Sequence, residues 1–428
     1  MDKSEKIASL FESDNQSQSF GCVLFDLQEI DGKNIPQPGS GWASIEGGPA
    51  FRIHGVNDLL PTVKWWSNLS QEIFWKSGAV RNNKLKHSGY LRTDMSQILR
   101  EIGLYGRQIP IVKVCEALSE IFYRVMTLAK EHFLLKEFNQ SDLPSEIKTK
   151  LNLNDFPISN YVDEAMFRSY QDLVICDQDV SSLNNDSITV LLRRPRHFHA
   201  ERILSSMIPV WKNDWEFTDA FPSNKEECID FLVNSERPFV AKITINHYYA
   251  SDNGFLNFAN LLNPGIALGE GGRKKERNWV SQPELLYLSK FADITVEGAF
   301  FASGYQSLSL PFELPNYGEL SIFSLSVGLL SECYWMAFAS RSVNQKSKTK
   351  NLITPRACWL RAADRFLCFT SAMLLASVGI QILSYGAGAV LVRVRKNDYN
   401  KLIDLAPHCN LVLPVHFIEE AQKENYMR

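Results

Sequence analysis

Most of the short signatures that announce an enzyme class are missing from this sequence. It has no P-loop, no G-x-G-x-x-G after a strand-like run, no H-E-x-x-H, no EF-hand loop and no G-x-S-x-G elbow, so several large nucleotide-binding, metal-dependent and hydrolase groups are excluded. Paired cysteines are missing as well. Cys22, Cys115, Cys176, Cys228, Cys333, Cys358, Cys368 and Cys409 are dispersed with no C-x-x-C pair, and most sit in apolar company. They read as reduced core thiols of a reducing compartment. A large charge of either sign is lacking too. The formal net charge is -3, which excludes a uniformly basic surface and leaves room for local basic patches.

Met1 to Gln18 is polar and charged, with no basic stretch leading into an apolar one, so a secretory signal is not expected and a cytoplasmic location is. The uncharged run Phe366 to Val392 is long enough to span a bilayer. Gln381, several serines and Gly386-Ala387-Gly388 interrupt it, and it reads as a buried helix followed by a strand hairpin, with no membrane partner. Repeats at solenoid periods are absent.

What is present is an ordinary folding composition. Hydrophobic residues make up 45% and charged residues 22% of 428, which excludes wholesale disorder and implies two or three domains. The apolar run in FGCVLFDLQEIDG (19–31) predicts a strand ending in an Asp-Gly turn. TDMSQILREIGL from Thr93 carries Asp94 and Gln97 as a capping box, with Met95, Ile98, Leu99 and Ile102 on one helical face. The clearest helix runs over 112–135, where Val114, Leu118, Ile121, Phe122, Val125, Leu128 and Ala129 recur at three and four. The polar passage 136–154 reads as a linker or a short capped helix and places a domain boundary near it.

Farther on, 188–193 reads as a strand entering the basic turn Arg193-Arg194-Pro195-Arg196, 225–233 as a short helix, and 239–249 and 293–302 as strands. Helices are predicted at about 322–341 and 355–378, then strands at 380–385 and 389–394 paired as a hairpin. The expected class is α/β or α+β, mixed sheets with packed helices. The expected organisation is an N-terminal α/β domain (1–150) and a C-terminal α+β domain (151–428).

Candidate chemistry is sparse. The glycines of 264–272 match no phosphate-cradle spacing and read as a flexible turn before Arg273-Lys274-Lys275-Glu276-Arg277. His197 and His199 would share one side of a strand but lack a third ligand, so a basic patch or solvated edge is the better reading. Asp177 and Asp179 also share a side; an exposed turn explains them more simply than a divalent ion. His408 and Cys409 are chain neighbours, and such side chains usually point apart. The pair Trp65-Trp66 reads either as core or as an interface anchor.

The order of elements from about 238 to 415 resembles the palm of family-B DNA polymerases, the protein-primed and mobile-element branches most of all. The corresponding passages are ITINHYYAS (243–251), ITVEGAFF (294–301), SECYWMAFA (331–339), the helix from Arg356, and the hairpin Tyr385-Gly386-Ala387-Gly388-Ala389-Val390. FDLQE (25–29) resembles the first exonuclease motif of that family, with Gln28 at its second carboxylate. The resemblance implies a polymerase-like fold without the chemistry. Two Asp carboxylates that would hold two Mg²⁺ ions correspond to Ala387 and Ala389, the Asp of the first strand to Thr244, and the nucleotide-binding Lys to Ser331.

The functional expectation is a non-catalytic nucleic-acid-binding protein, an inactivated polymerase-like subunit of a genome-maintenance, mobile-element or defence complex. Other protein subunits are expected partners, and no cofactor, metal or catalytic residue is assigned. Arg193, Arg194, Arg196, Arg273, Lys274, Lys275, Arg277, Lys346, Lys348 and Lys350 are the expected phosphate contacts, with aromatics stacking bases. The alternative is a protein-interaction scaffold in a multi-subunit assembly.

Overall fold

The computed structural model describes residues 18–28, 36–102, 104, 109–135, 142–151, 160–169, 173–176, 186–196, 206–210, 214–249, 278–308, 310, 321–339, 342–343, 351–352 and 354–426. It is a mixed α/β chain of two compact units, 1–150 with 314–333, and 151–313 with 334–428.

The first unit is built on a five-stranded sheet. Its strands are β1 (Ser19–Gln28), β2 (Gln37–Ile45), β3 (Phe51–Ile53), β4 (Val63–Ser67) and β5 (Leu85–Lys86), in the order β3-β2-β1-β4-β5. β2 runs antiparallel to β1 and β3, whereas β4 is parallel to β1 and β5 to β4. The strand pleat sends the two adjacent tryptophans to opposite faces. Trp65 joins Val23, Phe25, Leu69 and Phe74, while Trp66 stacks on Phe122 at 5.7 Å. Both indoles are 0% exposed, and their N–H groups donate to Leu60 O and Ser88 O. The pair is core, so its reading as an interface anchor is corrected: with each ring buried on its own face, neither is available to a partner.

Among the described residues, this sheet is accompanied by the α-helices α1 (Gln71–Lys76), α2 (Met95–Glu101), α3 (Ile111–Phe133) and α4 (Leu143–Lys150). α3 is the strongly periodic segment of the sequence. Its buried stripe, Cys115, Leu118, Ile121, Phe122, Val125 and Ala129, lies at helical spacing, and Ser119 Oγ donates to Ser44 O of β2 at 2.8 Å. At α2, Asp94 Oδ1 accepts from Ser96 N as a cap. Gln97 turns forward to Glu101 instead of back, so only half of the expected capping box forms. The polar passage after α3 contains α4, with Asp142 Oδ1 capping Ser145 N.

The second unit opens with α5 (Asn160–Ser169), β6 (Leu173–Ile175), β7 (Ser187–Arg193), β8 (Met207–Pro209), β9 (Glu216–Thr218), α6 (Lys225–Val233) and β10 (Phe239–Tyr248). It continues through β11 (Trp279–Ser281), α7 (Gln282–Leu288), β12 (Ala292–Phe301), β13 (Tyr305–Ser307) and α8 (Ile322–Ala339), whose first part belongs to the first unit. Last come the short pair β14 (Ser342–Val343) and β15 (Asn351–Leu352), then α9 (Pro355–Ser377), β16 (Gln381–Gly386), β17 (Ala389–Arg395), α10 (Tyr399–His408) and α11 (Val415–Tyr426). Two four-stranded sheets result, β11-β10-β12-β9 and β6-β16-β17-β7.

The two sheets share one core. Phe239, Ala241 and Ile243 of β10, Val390, Val392 and Val394 of β17, and Cys368, Phe369, Ala372 and Leu375 of α9 lie in a single buried cluster. α9 starts where the sequence puts it, at Pro355, with Thr354 Oγ1 accepting from Ala357 N at 3.0 Å. The uncharged run from Phe366 is the rest of α9 followed by the β16–β17 hairpin. A different helix, α8, is apolar and long enough to cross a membrane; 67% of it is buried. All eight cysteines are free and buried.

Candidate nucleic-acid interface

The strand pair that corresponds to the palm resemblance is β10 with β12, antiparallel, and its ladder is broken twice. Glu297 is an extra residue between the pairs Lys242–Gly298 and Ile243–Val296, and Asn246 is an extra residue between Ile245–Ile294 and His247–Asp293. Bulges of this kind re-aim single side chains. Thr244 Oγ1 donates to Glu297 Oε1 at 2.6 Å, and Lys242 Nζ pairs with the same carboxylate. Asn246 Nδ2 donates to Asp293 Oδ2 at 3.2 Å and Thr295 Oγ1 at 3.0 Å. Asp293 also receives Lys225 Nζ at 3.2 Å and faces His247 Nδ1 at 3.4 Å.

These contacts fix the protonation of the two acids. Hydrogen bonds from Lys242 and Thr244 hold Glu297 below the usual carboxylate range. Burial alone would raise Asp293, but hydrogen bonds from Lys225 and Asn246, with the charges of Lys225 and His247, lower it on balance. Both are therefore anionic at neutral pH, and each already has a lysine beside it. A divalent ion would have to displace those lysines, and no group of three or more His, Cys, Asp or Glu that could hold a metal occurs among the described residues.

The β16–β17 tip is a two-residue turn. Gly386, Ala387 and Gly388 have φ of 124°, 50° and 72°, the left-handed geometry that tight hairpins require. Asp364 of α9, 0% exposed, accepts Gly388 N–H through Oδ2 at 2.9 Å, and Arg194 N donates to Gly388 O at 2.9 Å. The carboxylate therefore braces the turn from its buried side, and the exposed tip carries the methyl group of Ala387. At the first unit's resemblance, Asp26 on β1 is tied to Arg52 Nη2 at 2.6 Å and Ser40 Oγ at 3.0 Å.

The basic turn divides in an unexpected way. Arg194 is 5% exposed, and its guanidinium turns inward to Leu367 O and to Ser371 Oγ at 3.1 Å. Its charge serves α9 and not a solvent-facing phosphate, which corrects its assignment as a contact. Arg193 and Arg196 on either side are half-buried, carried on a turn that Arg194 pins. Arg273, Lys274, Lys275, Arg277, Lys346, Lys348 and Lys350 lie outside the described residues, as do Asp177, Asp179, His197 and His199. Cys409 is buried and His408 exposed. Burial pushes the Cys409 thiol up, Arg194 pulling partly back.

The sequence reading passed over Asp293, Lys225 and the pair Arg393 and Arg395. For the arginines a signal existed: in Val390-Leu391-Val392-Arg393-Val394-Arg395 strict alternation puts both on one face of a strand.

No protein-family model matches the chain, and no curated protein does. Among solved structures it is similar to phi29 DNA polymerase complexed with primer-template DNA and incoming nucleotide substrates, at 10% identity and a TM-score of 0.45, over 88% of this chain and 80% of that one. It is similar also to phi29 DNA polymerase in an orthorhombic crystal form, at 9% identity and a TM-score of 0.46 over the same shares. A third similar structure is phi29 DNA polymerase complexed with single-stranded DNA, at 10% identity and a TM-score of 0.43.

Proposed function

We propose that this chain is a nucleic-acid-binding protein that does not polymerise. The composition of the β16–β17 tip carries the reading. Two-metal phosphoryl transfer needs carboxylates converging on one point, and Ala387, Ala389 and Thr244 supply none. Asp364, the acid that reaches the turn, is spent on the Gly388 amide. For binding, the support is the half-buried Arg193 and Arg196 on a turn that Arg194 fixes to α9, together with the basic runs at 273–277 and 346–350. A guanidinium on a fixed mount loses less freedom when it meets a phosphate. Within a cell the chain would be a subunit of a genome-maintenance, mobile-element or defence complex, beside other protein subunits.

Fluorescence anisotropy with a labelled 20-nucleotide single strand and its duplex, from 50 to 200 mM salt, tests the binding. Affinity is expected to fall with salt, and removing Arg193 and Arg196 together to lower the log–log slope by about one unit per residue. No binding at 50 mM salt would remove the nucleic-acid reading. Extension of a primer by the purified chain with Mg²⁺ or Mn²⁺ would remove the non-catalytic one.

A further inference from the structure

At the base of the β16–β17 hairpin, the end away from the tip, lies a cavity of about 330 Å³ bordered by Ser187, Gly379, Gln381, Arg393, Arg395 and Asp398. The sheet register explains which side chains share it. Gln381 is the cross-strand partner of Arg393, and Ser187 is the partner of Arg395, and such partners stand on one face. Val390, Val392 and Val394 of β17 point into the core, so Arg393 and Arg395 both point out of it.

Neither guanidinium takes part in an ion pair or side-chain hydrogen bond among the described residues. That separates them from Arg194, Arg237 and Arg365, which are tied to carbonyls or carboxylates. A purely structural role, neutralising the C-terminal end of α9 that reaches the cavity at Gly379, would show as bonds to the last carbonyls, and none is made. Asp398 at the rim is the acid in the cavity wall, and its Oδ1 is held by Lys401 at 2.7 Å.

We propose that this cavity is a phosphate-binding site in which Arg393 and Arg395 grip the anion and Ser187 and Gln381 add neutral hydrogen bonds. Two arginine forks on one strand face, with a hydroxyl and a carboxamide group beside them, match a tetrahedral, multiply charged oxyanion better than a lone carboxylate. The volume is at the small end for ligand sites, enough for a phosphate with part of its ester. The source is either a free phosphate or nucleotide, or one backbone phosphate of a polynucleotide. The site does not depend on the nucleic-acid reading above, and either source satisfies it.

The test is calorimetric titration of the full chain with inorganic phosphate, with adenosine monophosphate and with a 20-nucleotide single strand. Arg393→Gln/Arg395→Gln is expected to weaken whichever probe binds by about tenfold or more, from the loss of charged hydrogen bonds. Binding of the small probes assigns a free phosphate; binding of the strand alone, lost in the double variant, assigns a backbone phosphate. Asp398→Asn removes a carboxylate without touching the arginines and is expected to tighten binding severalfold. This second variant decides the matter should the double variant fail to fold. No binding of any probe, affinity unchanged in the arginine variant, or affinity unchanged in Asp398→Asn would overturn the assignment.

Discussion

Replacing Glu284 by Gln should destabilise the second unit far more than replacing Glu284 and Arg365 together by leucines. Glu284 on α7 and Arg365 on α9 are 0% and 1% exposed, and Nη2 and Nε of the arginine both donate to one oxygen, at 2.8 and 3.2 Å. Each charge has given up its hydration, and the two bonds across the pair are part of what compensates it. Cutting one removes the bonds across the pair from the other buried charge, a loss of about 3–5 kcal/mol for broken buried pairs, whereas exchanging a whole buried pair for apolar groups is often neutral or better. A few kcal/mol is a large part of a typical domain's stability of about 5–15 kcal/mol. Gln keeps an amide oxygen for the guanidinium, so the single variant should fall at the low end of that range. Urea titration followed by tryptophan fluorescence and by far-ultraviolet circular dichroism, on the wild type, the two single leucine variants and the double, would give the four corners of the cycle, with Glu284→Gln measured beside them. A cost for Glu284→Gln under about 1 kcal/mol, or a double variant less stable than either single one, would show that the bonds across the pair do not set the stability of this core.

Lys86, whose Nζ lies 5.0 Å from the Tyr90 ring centroid, has its pKa lowered from 10.5 to about 8, chiefly by burial, with Glu146 opposing and Lys64 adding to the shift. The unfolded chain therefore holds a proton between about pH 8 and 10.5 that the folded chain has lost. Stability relative to Lys86→Met should rise with pH across that window, by at most about 3 kcal/mol, and stay level below it; a difference that falls with pH would contradict the sign. Ala387 at φ 50° should be stabilised by roughly 1 kcal/mol on conversion to Gly and destabilised by Val, as thermal unfolding would record. Gly41→Ala would bring a Cβ within 2.3 Å of Leu24 O and 2.9 Å of Phe25 Cα. Because both are backbone atoms, a loss of about 1–3 kcal/mol is expected in urea titrations, and a neutral result would mean that β1 and β2 can separate freely.

Periodicity made the elements legible. α3 and β10 follow their 3.6- and 2-residue patterns, Thr354-Pro355 marks the start of α9, and the Gly-Ala-Gly cluster marks the hairpin. Local rules fail where a side chain has a choice of partner at similar distance along the chain. Asp94 and Gln97 have the spacing of a reciprocal cap, yet Glu101 one turn on takes the Gln97 amide.

The sequence alone determined that this chain would be a mixed α/β protein with buried free thiols, and that the turn at 386–389 would carry no acid, since those follow from residue type and local spacing. Only the tertiary structure decided what the charges do. Arg193, Arg194 and Arg196 are one basic turn on paper, but burial against Leu367 and Ser371 takes the middle one out of solvent. Arg393 and Arg395 look like the tail of a hydrophobic strand until β7 and β16 set a serine and a glutamine beside them. A charge acquires its role from what lies across space at a few ångströms, and those neighbours are set by strand register and helix packing between segments far apart in the chain.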